Sequence, residues 1–431
     1  MKLAKDGSSN KKVTLLAVLF MGLSHIICFK QYLKGAIYAL CEVCFIVCIP
    51  WILGKLNDLI TLGSPQPNIP IKNRDNSIFM LIDGILVIMI IILFIILYVL
   101  SVKNAQQEYK HFCIFGKVNS ERIFSNLSDK AFPVVALGPS VVLILFFVLA
   151  PLVFSACVAF TNYSMPDHLP PNNTVDWVGI DNFTALFGGN ATWTKAFGRV
   201  AVWTLIWAIL ATATCFIMGL VLAVILKELK IKFKPVFRTI FILPYAVPCV
   251  VSMLTWANLL NGSFGIVNRT LKASIPWLSD PTMAKFTCVL INLWAGFPYF
   301  MLLVMGNMTA ISEDIYEAAK IDGANTVQMV KIITLPLVLY QTMPLLIMGF
   351  THNINNFGAI YFLTQGNPVV SDTTTTTAGG TDILVTWIYN LTMNAQRYHY
   401  ASVIAVIIFV FMAPFAIWNF RQTKAYKEGE V

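Results

Sequence analysis

Six polar or glycine positions stand inside apolar stretches of this 431-residue chain: Tyr245, Asn292, Gly296, Tyr299, Asn353 and Asn356. Asn292, Ala295, Gly296 and Tyr299 recur at i, i+3, i+4 and i+7, which places them on one face of a helix. Asn353 and Asn356 share a face in the same way. Tyr245 lies between Pro244 and Pro248, on a stretch expected to break, and Pro298 is a further point where a helix can bend. None of the six is a nucleophile or a general base, so the chemistry on offer is recognition. Amides both donate and accept, and an uncharged cavity of Asn, Tyr and Trp suits a neutral, hydroxyl-rich solute whose apolar ring faces lie on aromatic faces. The same residues serve as interhelical hydrogen-bonding glue in a membrane. From the residue types alone the two readings weigh the same.

No catalytic residue, metal site or bound cofactor is expected in the chain. Gly54-Lys55 and Gly116-Lys117 are followed by Leu56 and Val118 rather than Ser or Thr. The chain therefore has no GxxxxGK[ST] phosphate loop, and energy must come from another subunit. Cys41, Cys44 and Cys48 share a helical face but have no fourth ligand nearby, and eight of the nine cysteines lie in apolar runs. Glu42 and Asp83 are ionisable groups inside apolar runs, where such groups are rare. A proton relay is one reading of them; helix-end or interhelical hydrogen bonding is the favoured one.

These residues are carried by elements that water does not solvate. Hydrophobic residues make up 57% of the chain and charged residues 12%, with a mean hydropathy of +0.73. A soluble domain keeps about 25% charged residues. Apolar runs long enough for a bilayer core occupy 79–102, 133–160, 200–226, 239–260, 286–308, 337–357 and 401–420. The expected fold class is all-α: a polytopic membrane protein with about eight transmembrane helices. The net charge of +9 gathers beside these runs, at Lys2, Lys5, Lys11 and Lys12, at Lys103 to Arg122, at Lys227 to Arg238, and at Arg421, Lys424 and Lys427. That is the pattern of cytoplasmic loops rather than of a nucleic-acid surface.

Basic 227–238 and the basic C-terminal tail are thus expected inside, and 161–198, with Asp167, Asp176 and Asp181, outside. Segments 261–285 and 361–398 follow outside and 309–336 inside. Six helices from residue 133 onward form a self-consistent core, so 1–132 is expected to be an auxiliary membrane region and 133–431 the core domain. Both termini are expected in the cytoplasm. The parity of the N-terminal region then allows only one crossing before residue 54. Gly35–Leu53 is expected to cross. Val13–Phe29, 17 residues with Ser24 and His25, is expected to lie in the interface or re-enter. It also lacks a small-x-small cleavage site, so no cleaved signal peptide is expected.

Segment 309–336 reads as a short helix, a bend and a second helix. Ser312 can cap the first, Glu313 and Asp314 suit its dipole, Gly323 offers a stop that tolerates positive φ, and Thr326–Ile333 leads to Leu335-Pro336. Glu317-Ala318-Ala319, three residues, Gly323, nine residues, Ile333, one residue and Leu335-Pro336 resemble the EAA loop of ABC importer permeases at full spacing. The resemblance implies a coupling loop that seats in a separate ATPase subunit, with Glu317, Ala318, Ala319 and Gly323 carrying that role. ATP and Mg would be bound by that partner.

The likeness extends to the maltose/maltodextrin type, and within it to the larger permease subunit. Phe160-Thr161-Asn162-Tyr163-Ser164, 177–183, 243–248, Asn292 to Tyr299, Asn353 to Phe357 and Leu363-Thr364-Gln365-Gly366 carry it. It implies an oligosaccharide path lined by Tyr245, Asn292, Gly296, Tyr299, Asn353 and Asn356. It further implies a second homologous permease, two ATPase subunits, an extracellular sugar-binding protein or lipoprotein, and a bacterial plasma membrane. Cys249, Ala295 and His352 depart from that pattern and leave sugar length and linkage open. The short 161–198 loop suggests a Gram-positive-type system. The alternatives are another neutral oligosaccharide, or an ion-coupled secondary sugar carrier using Glu42 or Asp83. A phosphate ester would demand Arg or Lys in the cavity, and no core helix is expected to offer one.

Overall fold

The computed structural model describes residues 7–116, 132–228 and 232–422. Lys2, Lys5, Lys117, Arg122, Lys230, Lys424 and Lys427, together with the rest of the tail from 423, lie outside the described residues. The described chain is helical apart from loops and two isolated β-bridges, Thr161 with Trp177 and Ser164 with His168. By packing it divides into two compact units, Met1–Trp177 and Val178–Val431.

The first unit begins with α1 (Gly7–Leu19) and α2 (Leu23–Ile27). At 13 and 5 residues neither reaches the ~20 needed to span a bilayer. The expectation of a shallow N-terminal element agrees with this break. The Glu42 carboxylate, on α3 (Tyr32–Thr61), accepts the Met21 backbone N–H between the two short helices. His25 is buried, its Nδ1 2.9 Å from Gln31 Oε1 and its ring stacked on Tyr38. α4 (Ser77–Phe115) packs along α3, and Lys55 of α3 bridges Asp83 of α4 at 2.8 Å. Both acidic groups singled out in the apolar runs therefore have partners within the polypeptide. α5 (Phe132–Ile144) runs through a π turn, Leu145–Leu149, into α6 (Ala150–Val158). The short polar segment after α6 closes on itself where Asn162 Oδ1 accepts the Asp176 N–H at 2.8 Å, and it is tied to the start of α4 where Val175 N–H donates to Ser77 Oγ at 3.0 Å.

The second unit is organised around α7 (Ala191–Glu228), 38 residues without a proline. α8 (Lys234–Ala246) and α9 (Cys249–Leu259) meet at a 91° bend, where Pro248 follows Val247, so the expected break is present. α10 (Pro281–Thr309) packs along α7 more extensively than any other pair of elements. It runs on through Pro298 as one helix, without the sharp break seen at Pro248. The close approach of α7 and α10 needs glycine at 219: a Cβ there would sit 2.7 Å from Met301 N and 2.8 Å from the Phe300 carbonyl carbon. α11 (Glu313–Ile321), α12 (Leu335–Ile354), α13 (Phe357–Thr364), α14 (Leu384–Tyr389) and α15 (Tyr398–Gln422) complete the unit. One apolar core, with Trp203, Trp207, Met253, Ile360 and Ile383, joins α7, α9, α13 and the start of α14.

Among the described residues, seven helices are long and apolar enough to cross a membrane, and eight when the bent α8–α9 pair is taken as one span. This agrees with eight crossings plus one shallow element.

Candidate translocation path and coupling loop

The six candidate path residues divide into two groups. Asn292, Gly296 and Asn353 are committed to α7. Cys215 Sγ of α7 donates to the Asn292 carbonyl at 3.5 Å, and the Asn292 amide reaches the same sulfur at 3.6 Å. One turn on, a Cβ on Gly296 would meet Cys215 Sγ at 2.8 Å. The small residue thus makes space that the α7 sulfur already fills. Asn353 is buried against Trp207 and Thr212 of the same helix: its carbonyl accepts Trp207 Nε1 at 3.0 Å and its amide donates to Thr212 Oγ1 at 3.0 Å. Each such interhelical hydrogen bond is worth about 0.6 kcal/mol on average in a membrane.

The second group is open. Tyr245, 54% exposed at the end of α8, and Tyr299, 38% exposed on α10, bring their rings to 6.2 Å. Asn356 is half-buried and joins the two helices it separates. Its amide donates to Asn353 Oδ1 at 3.2 Å, and its own Oδ1 caps α13 by accepting the Ala359 N–H at 3.3 Å. The single face read from the i, i+3, i+4, i+7 spacing is therefore shared: its Asn292–Gly296 half packs on α7, and Tyr299 points to Tyr245. The Asn353–Asn356 pair bridges α7 to α13. His352 and Cys249 are exposed near these residues, and Ala295 is half-buried.

The 309–336 loop folds as its spacing indicates. Ser312 Oγ accepts the Asp314 N–H at 3.3 Å, α11 follows, and Gly323 turns the chain at φ +81°. Glu317, Ala318 and Gly323 are exposed and Ala319 is half-buried. Asn325 and Gln328 form a capping box that starts the next helical turn, Thr326–Met329, before a π turn, Val330–Thr334, leads into α12. Ile321, Val327 and Ile332 stand exposed on the same loop, Ile321 to 86%. The loop is tied down by Tyr316 alone among its α11 side chains in being buried: its hydroxyl lies 3.0 Å from Thr334 Oγ1. The Lys227 ammonium, at the end of α7, stands 4.7 Å from the Tyr316 ring centroid and donates to the Met308 carbonyl at 3.0 Å.

At the opposite end of α7 the polar residues are denser. Arg199 Nη2 donates to both Asp372 oxygens at 2.9 and 3.1 Å and to the Ala378 carbonyl at 3.0 Å, while Nη1 reaches the Gly379 carbonyl at 2.6 Å. Trp203 Nε1 donates to the Thr381 carbonyl at 3.0 Å, and Lys285 of α10 lies 4.8 Å over the Trp203 ring. Asp382, 1% exposed, accepts the Gly379 N–H, the Thr386 hydroxyl and the Asn390 amide. Burial pushes the Asp382 carboxyl above its ordinary range, while those donors and the Arg199 charge pull the other way.

Residues 216–424 match the family described as binding-protein-dependent transport system inner membrane component. Over 97% of its length the chain is 36% identical to the galactooligosaccharides transport system permease protein GanP of Bacillus subtilis, covering 99% of that protein. It is 34% identical, over 93% of its length and 94% of the relative, to the maltodextrin transport system permease protein MalC of Streptococcus pneumoniae. The chain belongs to this family of transport-system permeases. It is also 41% identical over 254 residues to the maltose/maltodextrin permease protein MalF of Vibrio vulnificus, covering 48% of that protein. In fold, the permease superposes on a bacterial ABC transporter for alginate import with a TM-score of 0.56 at 24% identity, covering 70% of this chain and all of the other. Membership makes it a multi-pass inner-membrane component, in place of the ion-coupled carrier considered as an alternative.

The charged residues of the Arg199 cluster lie outside the apolar runs of the sequence. Lys195 and Arg199 break the hydropathy, so the apolar run starts at Val200, whereas the helix begins at Ala191. The core helices therefore do carry cations, contrary to the expectation that none offers one: Arg199 in α7, with Lys195 and Lys227 toward its ends, and Lys285 in α10. The signal available was the acceptor-rich Thr/Gly/Asp composition of 371–382, which needs buried donors from elsewhere.

Proposed function

We propose that this permease forms the oligosaccharide path of an ATP-driven importer of the maltodextrin type. The single observation carrying the reading is end-to-end similarity to permeases of two sugar transport systems, the galactooligosaccharide and maltodextrin relatives. In this reading Tyr245 and Tyr299 offer ring faces to pyranose units, the Asn353–Asn356 amide pair meets hydroxyls, and Asn292 and Gly296 fix α10 on α7. No acid or base is required of the site, which suits a neutral substrate.

The permease works, in this proposal, beside a second homologous permease, two ATPase subunits and an extracellular sugar-binding protein or lipoprotein. Both termini and the 309–336 loop face the cytoplasm. ATP and Mg belong to the ATPase subunits, and this chain carries no hydrolytic step. Glu317, Ala318, Ala319 and Gly323 present the docking surface, with the exposed Ile321, Val327 and Ile332 supplying apolar area to bury against the partner. Closure of the ATPases moves α11; Tyr316 passes that movement to α7 and α12, and the midplane opens to the sugar presented from outside.

Uptake of radiolabelled maltotetraose, with expression checked by blot, tests the assignment in cells carrying Asn356→Ala or Gly323→Asp. Gly323→Asp should abolish ATP-dependent uptake of every substrate, and Asn356→Ala should weaken oligosaccharide uptake selectively. Uptake that survives Gly323→Asp would overturn the coupling role. A second reading, a galactooligosaccharide as the substrate, is favoured by the 36% identity to the galactooligosaccharide relative. Competition of maltotetraose uptake by unlabelled galactotetraose separates the two.

A further inference from the structure

Arg199 and Asp372 are 173 residues apart in the chain and form a pair largely withdrawn from water, the side chains 24% and 6% exposed. Arg199 does more than neutralise the carboxylate. It also takes up the Gly379 carbonyl and, beside the Thr373 hydroxyl, the Ala378 carbonyl; neither accepts a backbone N–H of a helix or strand. The planar guanidinium fork suits this, since it can bind a carboxylate and two carbonyls with fixed geometry where an ammonium could not. Residues 365–383 are folded back on themselves around this point: Thr381 N–H donates to the Gly366 carbonyl at 3.0 Å, and Gly380 N–H to the Pro368 carbonyl at 2.7 Å. Trp203, one turn along α7, holds the other strand of the fold at Thr381.

The same helix face leads to the amide pair. Trp207 follows Trp203 by one turn and donates to the Asn353 carbonyl, and Asn356 caps α13, the helix from which 365–383 departs. The segment is thus anchored to α7 at three points: through Arg199, through Trp203, and through α13 and Asn353.

We propose that Arg199 is a positioning residue for sugar acceptance: with Asp372 it clasps 365–383 to the end of α7, which fixes α13 and holds the Asn353–Asn356 pair in register for the incoming oligosaccharide. The proposal rests on the oligosaccharide reading above for its substrate. It assigns Arg199 no contact with sugar. The clasp is charge-paired and local, so its loss loosens 365–383 without touching the α7–α10 contact or the 309–336 loop.

The test uses the assembled permease–ATPase complex in proteoliposomes, with maltotetraose-loaded binding protein as the titrant and hydrogen exchange of amides 373–381 as a second readout. Arg199→Gln should accelerate exchange in that segment. It should also raise the half-saturating concentration of loaded binding protein about tenfold. Maximal uptake and basal ATPase should stay within about twofold of wild type. Arg199→Lys, which restores charge but not the fork, should recover part of the loss. Asp372→Asn should reproduce the effect and replaces Arg199→Gln if that variant does not assemble. Unchanged exchange would show that the pair does not hold the segment. Accelerated exchange with unchanged half-saturation would show that the segment's position is irrelevant to uptake; either result overturns the proposal. If wild-type complex transports neither maltotetraose nor galactotetraose, the substrate reading fails, and exchange alone then decides the clasp.

Discussion

The Lys227 ammonium stands 4.7 Å from the centroid of the Tyr316 ring, so the end of α7 rests on α11, the first helix of the 309–336 loop. Tyr316 is held from the other side by Thr334, at the entry to α12, through a 3.0 Å hydroxyl contact. A cation over a desolvated aromatic face is worth about 0.5–2 kcal/mol. Tyr316→Ala should therefore loosen α11 from α7 and α12 without removing its docking surface. The expected outcome is ATP hydrolysis near wild-type rate with uptake lowered at least about tenfold, a loss of ~1.4 kcal/mol of coupling. The ratio of sugar moved to ATP hydrolysed in proteoliposomes measures it; an unchanged ratio sinks the idea.

Gly323 tests the loop differently. Its φ of +81° lies where L side chains rarely go, yet a Cβ there would meet no atom within 4 Å. Gly323→Ala should cost about 1–2 kcal/mol through backbone strain alone. Uptake should fall while the protein's abundance in the membrane stays near wild type. Equal losses of abundance and uptake would instead mean a folding defect.

At Gly219 the cost is steric. A side chain would collide with the backbone of Phe300 and Met301, and backbone cannot swing aside. Gly219→Val should force α7 and α10 apart, at about 1–3 kcal/mol or more. Thermal unfolding of the detergent-purified permease reads this directly. A midpoint equal to wild type would mean that the two helices adjust.

Asp382 supplies a pH signature. Burial raises its carboxyl above the ordinary value of 3.8. The folded protein then binds this proton more tightly than the unfolded chain, so the group's contribution to stability is fullest below that ordinary value. It declines as pH rises from there through the raised value. Asp382→Asn should remove that slope: the difference in unfolding midpoint between wild type and variant should shift against wild type as pH rises. A difference that does not change with pH contradicts it.

Much of this is legible in the sequence. Pro244 and Pro248 announced the α8–α9 break because a missing N–H and a restricted preceding residue act locally. Ser312 and Gly323 marked the ends of α11 for the same kind of reason. Ser24 and His25, in a run too short to span, marked the shallow N-terminal element. What stayed hidden was relational. Nothing near Gly219 in the chain tells that Met301 N will lie against it, and nothing near Asn292 or Gly296 tells that Cys215 will fill the space beside them. The helical period gave the common face of Asn292, Gly296 and Tyr299; the partners on that face, α7 for two and Tyr245 for the third, are properties of packing. The Arg199 cluster was concealed by its own charge, which ended the apolar run a full two turns inside the helix.

Among the long elements of the second unit, α8, α10, α12 and α15 each contain a proline, and α7 contains none. At 1.5 Å per residue its 38 residues measure about 57 Å. It touches Asp372 near one tip, Asn353 and Asn292 along its shaft, and Tyr316 near the other. That makes α7 a gauge rod, whose residue count sets both the separation and the angular phase of every site it touches. Deleting one residue from its middle would shorten it by about 1.5 Å and turn one half against the other by about 100°. The bent α8–α9 pair has a joint at which such an error can be taken up, but α7 has none. Its length is therefore a quantity this permease holds fixed, and a single-residue indel there should be far more damaging than the same change in any loop.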